Sequence, residues 1–209
     1  MVKISAVGDT AFLLPLSLVL LTYLVVTRRT PWALAFTLAL VAGGAATLGA
    51  KLLFNACGGS VSSLDVISPS GHASFSAVVY GSLAIMAGAR RARWQQVLLA
   101  VAALVGIGAV AASRVALGWH SVGEVVIGLA LGGVSVAMFD RLRRRVQVPP
   151  LSPALLALGA AVLLLLVGGR HVTPEGLIVR WARELSTNLD ICADAPRRQT
   201  ELRLLRGAR

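Results

Sequence analysis

The chain has 209 residues, of which 56% are hydrophobic and only 14% charged, and a formal net charge of +11. With a mean hydropathy of +0.79, these values lie outside the soluble-domain range and exclude an ordinary globular enzyme in favour of an integral membrane protein. In a soluble chain so basic a balance would suggest nucleic acid; here most of the basic residues punctuate apolar runs, so topology accounts for them and no nucleic-acid partner is expected.

The first apolar run covers residues 10–27 and ends at Arg28-Arg29-Thr30-Pro31. It reads as a membrane helix rather than a signal peptide, because only Lys3 precedes it and no small-residue cleavage site follows. The second span is expected over 32–54, with Trp32 as an interface anchor and Lys51 near the far end, where its stem can snorkel. A Gly- and Ser-rich loop follows over 55–71, then a third span over 72–88 and the basic stretch Arg90-Arg91-Ala92-Arg93. A fourth span over 96–112 leads into Ser113 to Glu124. The fifth, over 121–139, stops at Asp140-Arg141-Leu142-Arg143-Arg144-Arg145, and the sixth covers 151–168. Several runs sit near the lower limit of about 17 residues for crossing a bilayer. The Gly128-Leu129-Ala130-Leu131-Gly132 pattern permits close helix packing and does not require a dimer, so the oligomeric state stays open. Beyond the spans, Leu177, Trp181, Leu185 and Leu189 recur at four-residue spacing, which predicts a helix over 174–188 lying on the membrane surface. The expected fold class is therefore all-α and polytopic: a six-helix transmembrane domain over 1–169, then a periplasmic amphipathic segment and basic tail over 170–209.

Loop charge sets the orientation. Nine arginines, at 28, 29, 90, 91, 93, 141, 143, 144 and 145, fall on one side. Only Lys3, Lys51 and Arg114 fall on the other before the tail. The arginine-rich side is expected to be cytoplasmic. Lys51, His72, Arg114 and His120 then converge on the outer face of a bacterial-type inner membrane. The eight arginines after residue 169 sit awkwardly on that outer side.

Two stretches carry groups that are costly near a bilayer. In Ser113 to Glu124, Arg114 supplies a planar fork for phosphate oxygens, and His120 is a nucleophile or proton carrier. Glu124 follows His120 by four residues, so on a helix a carboxylate holds one ring nitrogen and leaves the other free, the orienting logic of a catalytic triad. The bland alternative is an interfacial loop with a snorkelling Arg, an incidental His and a solvated Glu. In Ser68-Pro69-Ser70-Gly71-His72, the free N–H groups opening the next helix form an anion site with His72 at its mouth. A plain Ser cap explains Ser70 but not His72.

Together these stretches resemble the type 2 phosphatidic acid phosphatase superfamily, whose motifs are Lys-x6-Arg-Pro, Pro-Ser-Gly-His and Ser-Arg-x5-His-x3-Asp. The second is intact as Pro69-Ser70-Gly71-His72, and the third matches at Ser113, Arg114 and His120, with Glu124 in place of Asp. The first keeps Lys51 but has Gly58 and Gly59 where Arg and Pro belong. The resemblance, over roughly residues 10–140, implies a lipid phosphate phosphatase that needs neither metal nor cofactor. On that resemblance Lys51, Ser70, Gly71 and Arg114 are expected to bind phosphate, His120 to form a phosphohistidine, Glu124 to orient it and His72 to protonate the leaving group. The expected substrate is a phosphorylated lipid, with undecaprenyl diphosphate, phosphatidic acid and phosphatidylglycerol phosphate as the candidates. A lipid phosphotransferase, or a catalytically weak head-group binder, is the alternative. Residues 52–71 contain no Lys or Arg, and one charge-assisted phosphate contact is worth about 1.5–3 kcal/mol. Because the family has Asp at 124, Glu124→Asp is expected to keep or raise activity. Cys57 and Cys192, the only two cysteines, both map outside, where a disulfide would bring Arg170, Arg180 or Arg183 towards the pocket.

Overall fold

The computed structural model describes residues 2–57 and 66–144, together with 180, 181 and 184. The described residues form one short helix and five long ones: α1 (Val2–Val7), α2 (Thr10–Val26), α3 (Thr30–Cys57), α4 (Gly71–Gly88), α5 (Arg93–Ala116) and α6 (Val122–Arg143). Four stretches are long and apolar enough to cross a membrane: Ile4–Val26, Thr30–Asn55, Arg93–Ala116 and Val122–Arg143. The protein is therefore an all-helical membrane protein among its described residues. The predicted sixth span (151–168), Cys192 and the basic tail lie outside the described residues. So does most of the predicted surface helix, of which Arg180, Trp181 and Glu184 are described, helical and exposed.

The third predicted span forms α4 but is absent from those four stretches. The reason is its place in the bundle. It packs against α2, α3, α5 and α6, so its surface meets protein rather than lipid and tolerates polar groups that a lipid-facing helix would not. Ser74, Ser76 and Ser82 are fully buried on it. The Ser74 hydroxyl hydrogen-bonds the Thr47 hydroxyl of α3 at 2.8 Å. Such short polar links and small side chains hold helices together where burial from water supplies no drive. On α6, a Cβ at Gly132 would stand 2.6 Å from both the Ser74 carbonyl oxygen and the Ala77 side chain, and one at Gly128 would collide with the Ser70 carbonyl. The two glycines thus let α6 lie directly on the site-bearing end of α4.

Alternating helices sort the charges. At one end lie the α2–α3 turn, the α4–α5 turn and the C-terminus of α6, carrying Arg28, Arg29, Arg90, Arg91, Arg93, Arg141, Arg143 and Arg144. Under them sits the largest apolar cluster, which includes Leu24, Trp32, Phe36, Met86 and Phe139. Trp32 is 2% exposed in this cluster and is a core residue, not the interface anchor expected at the start of the second span. Its ring packs inward because the turn at Arg28, with φ +56°, brings α3 back tightly onto α2. Trp94, 67% exposed at the start of α5, is the aromatic side chain at that end placed to meet an interface. The opposite end gathers the site.

Candidate active site

The geometry begins with the end of α5. Gly118 adopts φ +68°, a left-handed conformation that side chains other than glycine's disfavour. It closes a Schellman motif: the Gly118 N–H donates to the Val115 carbonyl (2.9 Å) and the Trp119 N–H to the Arg114 carbonyl (3.1 Å). The His120 N–H also reaches the Arg114 carbonyl, at 3.3 Å. The five residues between Arg114 and His120 are thus wound back over the helix end. The Trp119 ring lands on the Arg114 guanidinium, 4.2 Å from carbon to centroid, a cation–π contact that holds the fork flat. Arg114 is 6% exposed, and one of its terminal nitrogens donates to the Ser5 hydroxyl at 2.9 Å.

The next turn starts α6. Ser121 and Glu124 form a capping box, in which the Ser121 hydroxyl accepts from the Glu124 N–H and the Glu124 carboxylate accepts from the Ser121 N–H (3.1 Å). The same carboxylate oxygen, Oε2, lies 2.7 Å from His120 Nδ1. A carboxylate only accepts, so Nδ1 carries the proton and Nε2 is the nitrogen left for chemistry. The other oxygen, Oε1, accepts from the backbone N–H groups of Ile67 and Ser68, both at 2.8 Å. The Ser70 N–H donates to the Glu124 carbonyl at 3.0 Å. Glu124 is 1% exposed, with four donors around its carboxylate. Such saturation lets an ion remain buried.

Through Glu124 the third motif holds the second. Ser70 caps α4, its hydroxyl accepting the Ala73 N–H at 3.4 Å, and is fully buried. Gly71 opens α4 beside the stem of Lys51. Lys51, 6% exposed near the end of α3, donates from Nζ to the Ser68 hydroxyl at 3.3 Å. His72 follows on the first turn of α4, within electrostatic reach of Arg114 and His120. All seven residues expected to bind phosphate or act on it, Lys51, Ser70, Gly71, His72, Arg114, His120 and Glu124, therefore lie at one end of the bundle. Cys57 closes α3, and its proposed partner Cys192 lies outside the described residues.

Sequence reasoning missed Ser5, Asp9, Ser68 and the stacking role of Trp119. Asp9 Oδ2 lies 3.5 Å from His72 Nε2, with both side chains largely buried. Its one signal in the chain is an acid placed directly before an apolar run, which reads as a helix cap. It is one: Asp9 Oδ1 accepts the Ala11 N–H at 2.9 Å. Among the described residues no group of three or more His, Cys, Asp or Glu side chains is placed to hold a metal ion. The charges suited to an anion come from Lys51 and Arg114.

The PAP2 superfamily matches residues 32–148 of this chain. An uncharacterized 22.5 kDa protein in the cps region of Klebsiella pneumoniae is 32% identical over 148 residues, which cover 70% of each chain. No solved structure matches.

Proposed function

The chain belongs to the PAP2 superfamily, and on that premise we propose that it is a membrane phosphatase acting on a lipid phosphate or diphosphate at the outer face of the membrane. The observation that carries this reading is the Glu124–His120 pair at 2.7 Å, set at the same end of the bundle as Arg114, Lys51 and His72. Lys51 and Arg114 hold the phosphoryl oxygens, where fixed positive charge stabilises the transition state. His120 Nε2 attacks phosphorus as the bond to the leaving oxygen breaks, the lipid alkoxide of a monophosphate or the bridging oxygen of a diphosphate, and His72 gives that oxygen its proton. Water then attacks the phosphohistidine, phosphate leaves, and the proton taken from water returns to His72. Glu124 holds the His120 ring and offsets its positive charge while the phosphoryl group is bound. The lopsided loop charge supports an outward-facing site, because the opposite end carries eight arginines among the described residues.

The absence of Lys and Arg over 52–71 favours a second reading, a head-group binder with weak turnover. One experiment separates the two. Purified protein in detergent with chelator is incubated with phosphatidic acid, phosphatidylglycerol phosphate and undecaprenyl diphosphate. The phosphatase reading expects inorganic phosphate from at least one of them and none from His120→Ala. Wild-type phosphate release by His120→Ala, in a preparation free of other phosphatases, overturns it. A newly phosphorylated lipid in place of free phosphate identifies a phosphotransferase.

A further inference from the structure

Residues 1–31 precede the family match, yet they enter the site, and they do so from a fixed position. The Val7 carbonyl accepts from the Tyr80 hydroxyl of α4 at 2.6 Å. The Ser5 hydroxyl accepts from Arg114 of α5. Gly8 lies so close to Val110 of α5 that a Cβ there would collide with its side chain. These three contacts pin the break between α1 and α2 over the site, and Asp9 is the residue at that break. Asp9 is 3% exposed. Capping α2 does not require its charge, since Ser and Asn cap as well and avoid the cost of burying an ion. One oxygen serves the cap, and the other faces His72 Nε2.

We propose that Asp9 is a positioning residue for His72, the counterpart on the leaving-group side of what Glu124 is for His120. The inference rests on the phosphatase reading. A carboxylate opposite Nε2 keeps a proton on that nitrogen and fixes the ring, so Nδ1 is the nitrogen that exchanges a proton with the leaving oxygen. His72 gives up its Nδ1 proton as the phosphorus–oxygen bond breaks and regains one from the attacking water, with Asp9 ionised throughout.

The test is Asp9→Asn, which keeps the cap and removes the charge. First-turnover release of the leaving group from a lipid phosphate, whose alkoxide needs a proton, is compared with that from p-nitrophenyl phosphate, whose leaving group is stable as an anion; the later attack of water, in which His72 takes a proton whatever the substrate, is thereby left out. A general acid contributes about 10²–10⁴-fold. Asp9→Asn is therefore expected to slow the lipid substrate by at least about tenfold more than p-nitrophenyl phosphate. Asp9→Glu should recover part of that loss, and Asp9→Asn should add no loss in a His72→Ala background. Equal losses on both substrates in that first turnover, or additive losses in that background, mean that Asp9 does not act through His72 and overturn the proposal. His120→Ala, run alongside, reports on the phosphatase reading itself: it fails if that variant still turns over, whatever Asp9 does.

Discussion

The site contains two carboxylate–histidine pairs built in opposite ways. Glu124 and His120 are neighbours in the chain, joined through Nδ1 at 2.7 Å on a capped helix start. Asp9 and His72 come from separate helices and approach through Nε2 at 3.5 Å. The first pair is held by local chemistry: once Ser121 caps α6, the Glu124 side chain has to fold back towards His120. The second depends on docking of the N-terminal segment onto α4 and α5. In the proposed mechanism a shorter, locally enforced pair suits His120, which would bond to phosphorus and where a small displacement is costly. A longer pair is sufficient for His72, which would only pass a proton.

The largest expected effect tests that division of labour. His120→Ala should lower turnover at least about 10³-fold on every substrate, because in the proposed mechanism His120 is the group that bonds to phosphorus. His72→Ala should lose less on p-nitrophenyl phosphate than on a lipid phosphate. If the two variants lose equally on both substrates, measured as first-turnover release of the leaving group, the pairs are not functionally distinct.

Next in size is Glu124. Glu124→Gln should cost about 10²–10³-fold, since a neutral amide orients the ring weakly and cannot balance its charge. The Asp that the family places here would suggest that Glu124→Asp is harmless. The geometry now argues otherwise. The Glu124 carboxylate spans from His120 and Ser121 on one side to the Ile67 and Ser68 N–H groups on the other. One methylene less leaves one of those sets behind. Glu124→Asp is expected to lose roughly tenfold in activity, together with faster amide exchange at Ile67 and Ser68. Wild-type exchange and activity would show that the backbone closes the gap.

Smaller effects probe how His120 is delivered. Gly118→Ala places a side chain at φ +68°, a strain of about 1–2 kcal/mol, and should lower thermal stability while slowing turnover through a displaced His120. Trp119→Ala removes the face stacked on Arg114, a contact worth about 0.5–2 kcal/mol. It should raise KM more than it lowers kcat, because the guanidinium is freed from its preset plane. An unchanged KM in Trp119→Ala would mean that the stacked ring is not what fixes Arg114.

Local features of this kind were legible in the chain. The i to i+4 spacing of His120 and Glu124 marked them as a pair, but His120 precedes the Ser121 cap and lies outside α6, so the capping box, not a shared helix face, turns the Glu124 carboxylate back onto it. The Gly128 and Gly132 spacing foretold close packing, and α6 does approach α4 there. What escaped were contacts between segments far apart in sequence. Asp9 looks like any helix cap, and its second oxygen has no sequence signature. Trp32 looks like an interface anchor because tryptophan beside a basic turn often is one, yet the fold turns it into the core. The central place of α4 was hidden for the same reason: its serines lower its hydropathy, and only its neighbours explain why that is tolerated.

The sequence by itself determined that the chain enters a membrane, where most of its helices start and stop, and which residues of its motifs meet one another. These follow from hydropathy, backbone capping and a fixed helical period, all of which act over a few residues. The tertiary structure alone decided which helix is enclosed, how Glu124 ties the loop before α4 to His120, and that the N-terminal segment brings Asp9 to His72. Those depend on how whole helices pack side by side, and packing joins residues by distance in space, of which spacing along the chain keeps no record.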